Sequence, residues 1–118
     1  MNWAGFYLMH EGRLVLAPFA GKTACTEISV GKGVCGTAVA KDAVQRVENV
    51  HLFDGHIACD SASASEIVLP IHLNGEIYGV LDIDSTLLGR FSEEDEKGLS
   101  DCVKRLEACL SKASAISI

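Results

Sequence analysis

The chain has 118 residues, 48% of them hydrophobic, and a formal net charge of −6. This length predicts a single domain over residues 1–118, and the hydrophobic content excludes an intrinsically disordered chain. The chain has 10 Lys and Arg but 16 Asp and Glu, so we expect no nucleic acid as a partner. No apolar run is long enough to cross a bilayer, so we expect no membrane as a partner either.

The first half of the chain predicts a hairpin followed by a short helix. Aromatic and apolar residues over Trp3–Met9 and Leu14–Ala17 indicate two strands, with "HEGR" as the turn. "GKGVCGTAVAKDA" favours a short helix that opens near Val34, and Val44–Val47 is a short strand candidate. The following loop, Glu48–Ser65, has no predicted element, and loops of this length are usually functional.

The second half predicts another hairpin and a long helix. Strands over Glu66–Leu73 and Glu76–Asp84 are joined by "NG", a strong hairpin signal. The helix runs over Phe91–Lys112 with Ser92 as its N-cap. Its apolar stripe comprises Leu99, Cys102, Val103, Leu106, Cys109 and Leu110. The fold class that follows is α+β, an antiparallel sheet with at least one long helix on a face.

Five cysteines occur in the chain, and its N-terminus lacks the features of a secretory signal. An odd count without a signal predicts free thiols in a reducing compartment, the cytoplasm. We expect Cys102 and Cys109 to be buried on the helix stripe as small hydrophobic residues. Cys25, Cys35 and Cys59 lie in loops or at a helix opening, where a reactive and a structural role are equally open. A helix N-terminus beside Cys35 would lower the pKa of its thiol.

A zinc site is the rival interpretation of these cysteines. His51, His56 and Cys59 supply three ligand types, and Cys25 or Cys35 would supply a fourth. The tight pairs that typify structural zinc sites are missing from the sequence, so we expect no metal. "GKGVCG" also lacks the spacing of a phosphate-binding loop.

Three carboxylates are more informative. Asp82 and Asp84 are two apart in a predicted strand and therefore point to one face. Counting back from the turn places Glu66 near Asp84, at the same open end of the hairpin. Either this strand end is solvated, or the acids form a site for a cation such as a substrate ammonium.

Six segments of the sequence together resemble the free methionine-(R)-sulfoxide reductases, small enzymes built on a GAF-type domain. They are "NWAGFYL", "GKTACTEI", "GKGVCGTAV", "HIACDSASASEIVLPI", "GVLDIDS" and "RFSEEDEKGL", and they run from Asn2 to about Leu99. The resemblance implies a GAF-like domain with a central antiparallel sheet of five or six strands flanked by helices. Family members carry a further N-terminal helix before "NWAGFYL", so this chain is expected to be an N-terminally shortened form.

The resemblance also implies roles for individual residues. Cys59 matches the catalytic thiol, Cys25 the resolving thiol that forms a disulfide with it, and Cys35 a third cysteine that attacks or resolves. The acids Glu66, Asp82 and Asp84 match substrate-binding residues, and Trp3 and Tyr7 match aromatic walls of the pocket. No metal or organic cofactor is implied; thioredoxin, supplied by NADPH through thioredoxin reductase, is the implied reductant.

The expected reaction is reduction of free L-methionine-(R)-sulfoxide. The Cys59 thiolate attacks the sulfoxide sulfur while Glu66 or Asp84, with a raised pKa, protonates the leaving oxygen. Asp82 is expected to hold the substrate ammonium, which a peptide-bound methionine lacks. The alternative is a non-enzymatic GAF domain that senses a small ligand or the redox state, and assembly as a homodimer is open.

Overall fold

The computed structural model describes residues 3–20, 25–53 and 64–116. Within them, six strands form one antiparallel sheet in the order β3-β2-β1-β6-β5-β4. The strands are β1 (Trp3–His10), β2 (Arg13–Ala20), β3 (Glu27–Ser29), β4 (Gln45–Val47), β5 (Ser65–Leu73) and β6 (Glu76–Ser85). The helices are α1 (Gly33–Lys41) and α2 (Glu93–Ile116), and a single 3-10 turn spans Val50–Leu52. The predicted α+β class is confirmed.

The β5–β6 hairpin sets the position of the acids. Asn74 and Gly75 both have positive φ, 55° and 80°, as the tight turn between these strands requires. A register shift between Ile71 and His72 then puts Glu66 opposite Asp84 and Val68 opposite Asp82. The predicted hairpin, and the predicted meeting of Glu66 and Asp84 at one end, are both confirmed.

The two faces of the sheet carry separate cores. Neighbouring residues of β5 alternate between them: Val68 packs with β1 and α1, whereas Ile67 packs toward α2. The α1 face buries Trp3, Tyr7, Leu14, Ile28, Val34, Cys35, Ala38, Val68 and Val80. The α2 face buries Ile67, Leu69, Ile71, Ile83, Phe91 and Val103. One layer of sheet therefore separates the two helices.

Helix α2 begins with the predicted cap. The Ser92 hydroxyl accepts from the Asp95 N–H at 3.2 Å, and an Asp95 carboxylate oxygen accepts from the Ser92 N–H at 2.9 Å, which forms a reciprocal capping pair. In the described part of the chain, no helix has both the length and the apolar character to cross a bilayer.

Two predictions about buried cysteines were wrong. Cys102 and Cys109 are exposed free thiols, because the sheet covers only the narrower side of α2 that carries Leu99, Val103 and Leu106. An apolar stripe drawn from sequence is wider than the strip that a flat sheet covers, and cysteines at its edge remain in solvent.

Strand β3 and the 3-10 turn were not predicted. Each has only three residues, too few to show a periodic pattern. The turn interrupts the first part of the loop that was expected to have no element, and residues 54–63 of that loop lie outside the described residues.

Candidate functional site

The site is built on the α1 face, where β1, β5 and β6 bring buried acids together. Asp82 and Glu66 are 5% and 8% exposed, although carboxylates are rarely buried to this degree. Asp84 lies opposite both Glu66 on β5 and Trp3 on β1, while Gly5 of β1 faces Asp82. The prediction that these acids share a strand face is confirmed by this register.

Cys35 lies with these acids from the first turn of α1. Its side chain is 3% exposed, and its sulfur and one oxygen each of Glu66 and Asp82 all lie within 4.8 Å of one another. The close approach of α1 requires a glycine, because a side chain on Gly36 would collide with the backbone carbonyl of Ser29. Gly36 therefore lets the helix carry Cys35 down onto the carboxylates.

The electrostatics of Cys35 reverse one sequence prediction. A helix N-terminus was expected to lower its pKa, but burial and the nearby charges of Asp82 and Glu66 raise the pKa well above its usual value. Desolvation and two close anions outweigh the partial charge of a helix end. In this state the thiol of Cys35 keeps its proton.

The two buried carboxyl groups hold protons at unusually high pH. Burial, followed by the charge of Asp82, raises the pKa of Glu66 well above its usual range. Burial is also the largest cause that raises the pKa of Asp82 to about 7. Among the residues that the structure describes, one buried oxygen of Asp82, Oδ1, has no hydrogen-bond partner. Such a cluster can donate a proton near neutral pH or accept a cation.

A divalent ion is one cation that this cluster could hold. One thiol and two carboxylates, from Cys35, Glu66 and Asp82, are donor types that zinc accepts. The same groups can share protons among themselves without an ion, and their burial and raised pKa values are consistent with that use.

Trp3 and Tyr7 form an aromatic wall beside these acids. Their ring centroids are 6.0 Å apart at 30°, and the side chains are 2% and 1% exposed. Both rings pack in the same core as Cys35 and Val68. The Tyr7 hydroxyl donates to the backbone carbonyl of Cys25 at 2.9 Å. This bond links the wall to a cysteine 18 residues away in the chain.

The cysteines differ in redox state. Cys25 is disulfide-bonded, whereas Cys35 carries a free thiol. The predicted nucleophile Cys59 and the zinc candidate His56 lie outside the described residues. His51 is exposed on the 3-10 turn, and Cys25, being in a disulfide, offers no thiolate for zinc.

Sequence reasoning missed the roles of Gly36 and of the Tyr7 hydroxyl. The Tyr7–Cys25 bond joins β1 to the segment before β3, 18 residues away, so no local pattern reveals it. The glycine-rich segment around Cys35 did carry a signal, but glycine there is equally compatible with a flexible turn.

The chain is similar in sequence to known proteins. Residues 2–101 match the family described as GAF domain. The free methionine-R-sulfoxide reductase of Escherichia coli (strain K12) is 64% identical over 110 residues, which cover 93% of this chain and 67% of that protein. The chain thus spans about two thirds of that relative's length.

Two solved structures are similar in fold and sequence. The free methionine-R-sulfoxide reductase from Neisseria meningitidis, in complex with its substrate, has a TM-score of 0.93 at 46% identity, over 98% of this chain and 70% of that one. The reduced form of the Staphylococcus aureus protein has a TM-score of 0.89 at 51% identity, over 91% of this chain and 70% of that one. The GAF-like fold predicted from the sequence is confirmed. The chain belongs to the free methionine-(R)-sulfoxide reductase family of GAF-domain proteins.

Proposed function

We propose that this chain reduces free L-methionine-(R)-sulfoxide to L-methionine by thiol chemistry. The observation that carries the proposal is the buried cluster of Cys35, Glu66 and Asp82 beside two aromatic rings. A relative of 64% identity is named for this reaction, and a neighbour of the same fold was solved with its substrate.

Substrate recognition is assigned to the acids and the aromatic wall. Asp82, with Glu66 and Asp84 around it, accepts the substrate ammonium, which offsets the cost of burying negative charge. Trp3 and Tyr7 pack against the methyl and thioether carbons. A peptide-bound methionine has an amide in place of the ammonium and would leave the acids without a cation.

The chemical step uses one thiol and one carboxylic acid. Cys59 attacks the sulfoxide sulfur, and Glu66 or Asp84 gives its proton to the sulfoxide oxygen. Oxygen passes to the thiol, so methionine leaves and Cys59 becomes a sulfenic acid. The raised pKa of Glu66 supports its role as this acid, because burial keeps its carboxyl protonated to higher pH than that of an ordinary glutamic acid.

Recycling assigns a resolving role to Cys25. Its thiol condenses with the sulfenic acid of Cys59, which forms a disulfide and releases water. The redox states support this role, since Cys25 is disulfide-bonded and Cys35 is a free thiol. Thioredoxin, reduced by NADPH through thioredoxin reductase, then returns both thiols. Cytoplasmic location and a homodimer stay predictions.

Cys35 is the second candidate for the attacking thiol. Among the described residues it is the thiol that shares a cluster with Glu66 and Asp82. Its raised pKa opposes this role in the substrate-free state, because a protonated thiol is a weak nucleophile. Arrival of a substrate ammonium would reduce that opposition by neutralising the acids.

The test is NADPH consumption with thioredoxin and thioredoxin reductase. Free methionine-(R)-sulfoxide, its S epimer and an N-acetylated analogue are compared. We expect turnover of the free R epimer alone. A folded protein that turns over none of the three would favour the sensor alternative, and equal turnover of the N-acetylated compound would contradict the role of the acids.

Cysteine variants separate the thiol roles in the same assay. Cys59→Ser is expected to abolish even one turnover, whereas Cys25→Ser should release one equivalent of methionine and then stop. If Cys35→Ser lacks the single turnover while Cys59→Ser retains it, Cys35 is the nucleophile instead. Exposed Cys109→Ser is the matched control and should behave as the unaltered chain.

A further inference from the structure

We propose that Tyr7 is a positioning residue for disulfide closure, because its hydroxyl holds the backbone from which the Cys25 sulfur projects. The inference rests on the proposed redox role of Cys25. It assigns the hydroxyl a task that differs from the packing task of the ring.

Residues of two adjacent strands donate hydrogen bonds to two consecutive backbone carbonyls, those of Cys25 and Thr26. Tyr7 on β1 and Leu16 on β2 are register partners. The Tyr7 hydroxyl donates to the Cys25 carbonyl at 2.9 Å, and the Leu16 N–H donates to the Thr26 carbonyl at 2.9 Å. The backbone before β3 is therefore fixed at both residues, next to the cysteine that must move when its disulfide opens and closes.

Tyr7 is a rigid anchor for this contact. Its side chain is 1% exposed and its ring leans on Trp3. Its backbone is held on both sides, because Tyr7 pairs with Leu16 of β2 and with Val80 of β6. Burial and the nearby charges of Cys35 and the acids raise the pKa of Tyr7, so the phenol remains a hydrogen-bond donor.

A packing role alone would not require the hydroxyl. A phenylalanine would offer the same ring to Trp3 and to a thioether, without a polar atom to bury. The hydroxyl instead satisfies a carbonyl of the redox-active segment, 18 residues away in sequence. The structure shows this bond with Cys25 in its disulfide; the same bond, kept after reduction, would lower the entropy that Cys25 loses when the disulfide forms again.

The affected step is formation of the Cys25 disulfide. In the proposed cycle the Cys25 thiol displaces the hydroxyl group of the Cys59 sulfenic acid, so that one S–S bond and one water molecule form. In the test oxidised glutathione is the oxidant: two protein thiols lose two protons and two electrons, and two molecules of reduced glutathione are released. A less restrained Cys25 should form its disulfide more slowly, and that disulfide should be reduced more easily.

The experiment is a redox titration of Tyr7→Phe in glutathione buffers. All proteins carry Cys102→Ser and Cys109→Ser, so that the two exposed thiols do not form other disulfides. We expect the equilibrium constant for disulfide formation to fall about 5–10-fold, which raises the reduction potential by about 20–30 mV. Tyr78→Phe is the matched control, since Tyr78 packs on the opposite, α2 face and should leave the potential unchanged.

A second measurement covers the case in which Tyr7→Phe lowers stability. The melting temperatures of the oxidised and reduced forms are compared for each protein, and the gap between them should narrow in Tyr7→Phe but not in Tyr78→Phe. A potential and a melting gap equal to those of the control would overturn the proposal. Neither measurement contains methionine sulfoxide, so both stay decisive if the chain proves not to reduce that substrate.

Discussion

At the scale of single residues, the burial of Asp82 lowers the stability of the folded protein when its carboxyl is ionised. In the unfolded chain its carboxyl ionises near pH 3.8, and in the folded chain its pKa is about 7, mainly because it is buried. Between these values the folded state binds more protons than the unfolded state. The contribution of Asp82 to the free energy of unfolding therefore falls as pH rises from about 4 to 7.

Asp82→Asn should thus stabilise the protein while impairing substrate binding. The neutral amide removes the cost of burying an ionised group, and we expect the free energy of unfolding to rise by on the order of 2 kcal/mol at pH 8. The difference from the unaltered chain should shrink toward zero near pH 4. Urea unfolding at pH 4, 6 and 8 measures it.

Two comparisons make this prediction specific. His72 also titrates, since its hydrogen bond to Asp42 raises its pKa, but it is present in both proteins and cancels in the difference. Asp101→Asn, on the exposed side of α2, replaces a carboxylate that solvent covers. Equal stabilisation by Asp101→Asn would show that net charge, rather than burial, is the cause.

At the scale of the elements, the close packing of α1 on the turn before it positions Cys35. Gly36→Ala would place a methyl group against the Ser29 carbonyl, which is backbone and cannot rotate away. We expect a loss of about 1–3 kcal/mol in the free energy of unfolding and a lower turnover rate, because α1 must shift and carry Cys35 from the acids. Urea unfolding and the NADPH assay report the two effects.

Gly98→Ala is the matched substitution on α2. No atom of the described part of the chain lies within 4 Å of the position that its new methyl group would occupy. Alanine is the better helix former, so this variant should gain about 0.5–1 kcal/mol. Opposite signs for the two glycines are expected, and a Gly36→Ala protein as stable as Gly98→Ala would refute the close-contact argument.

The elements also show what a sequence can and cannot predict. The turn at Asn74-Gly75 places Glu66 and Asp84 near one end of the hairpin, which residue counting predicts, but their direct pairing also needs a register shift between Ile71 and His72 that counting does not reveal. Cys102 was misplaced because the width of the surface that covers a helix is a tertiary property. The predicted direction of the Cys35 pKa shift was wrong for the same reason, since the acids beside it come from two other elements.

At the scale of the whole molecule, the sheet divides the protein into a face that carries the site and a face that supports it. Cys35, Trp3 and Tyr7 share the α1 core with Val68. Val103 of α2 belongs to the other core, with Ile67 and Leu69. Among the described residues these cores are two separate clusters of buried side chains, so a cavity in one core has no direct route to the geometry of the other.

Val68→Ala and Val103→Ala test this division with one and the same change. Each removes two buried carbons, from side chains that are 0% and 6% exposed, and each should lower the free energy of unfolding by about 1–3 kcal/mol. Only Val68→Ala should also raise the KM for methionine sulfoxide, because Val68 lies opposite Asp82 and packs in the core of the aromatic wall. Assayed well below both melting temperatures, Val103→Ala should keep the KM of the unaltered chain. A matching rise in KM for both variants would mean that stability and binding are coupled through the sheet, and that the site depends on the whole fold rather than on the face that carries it.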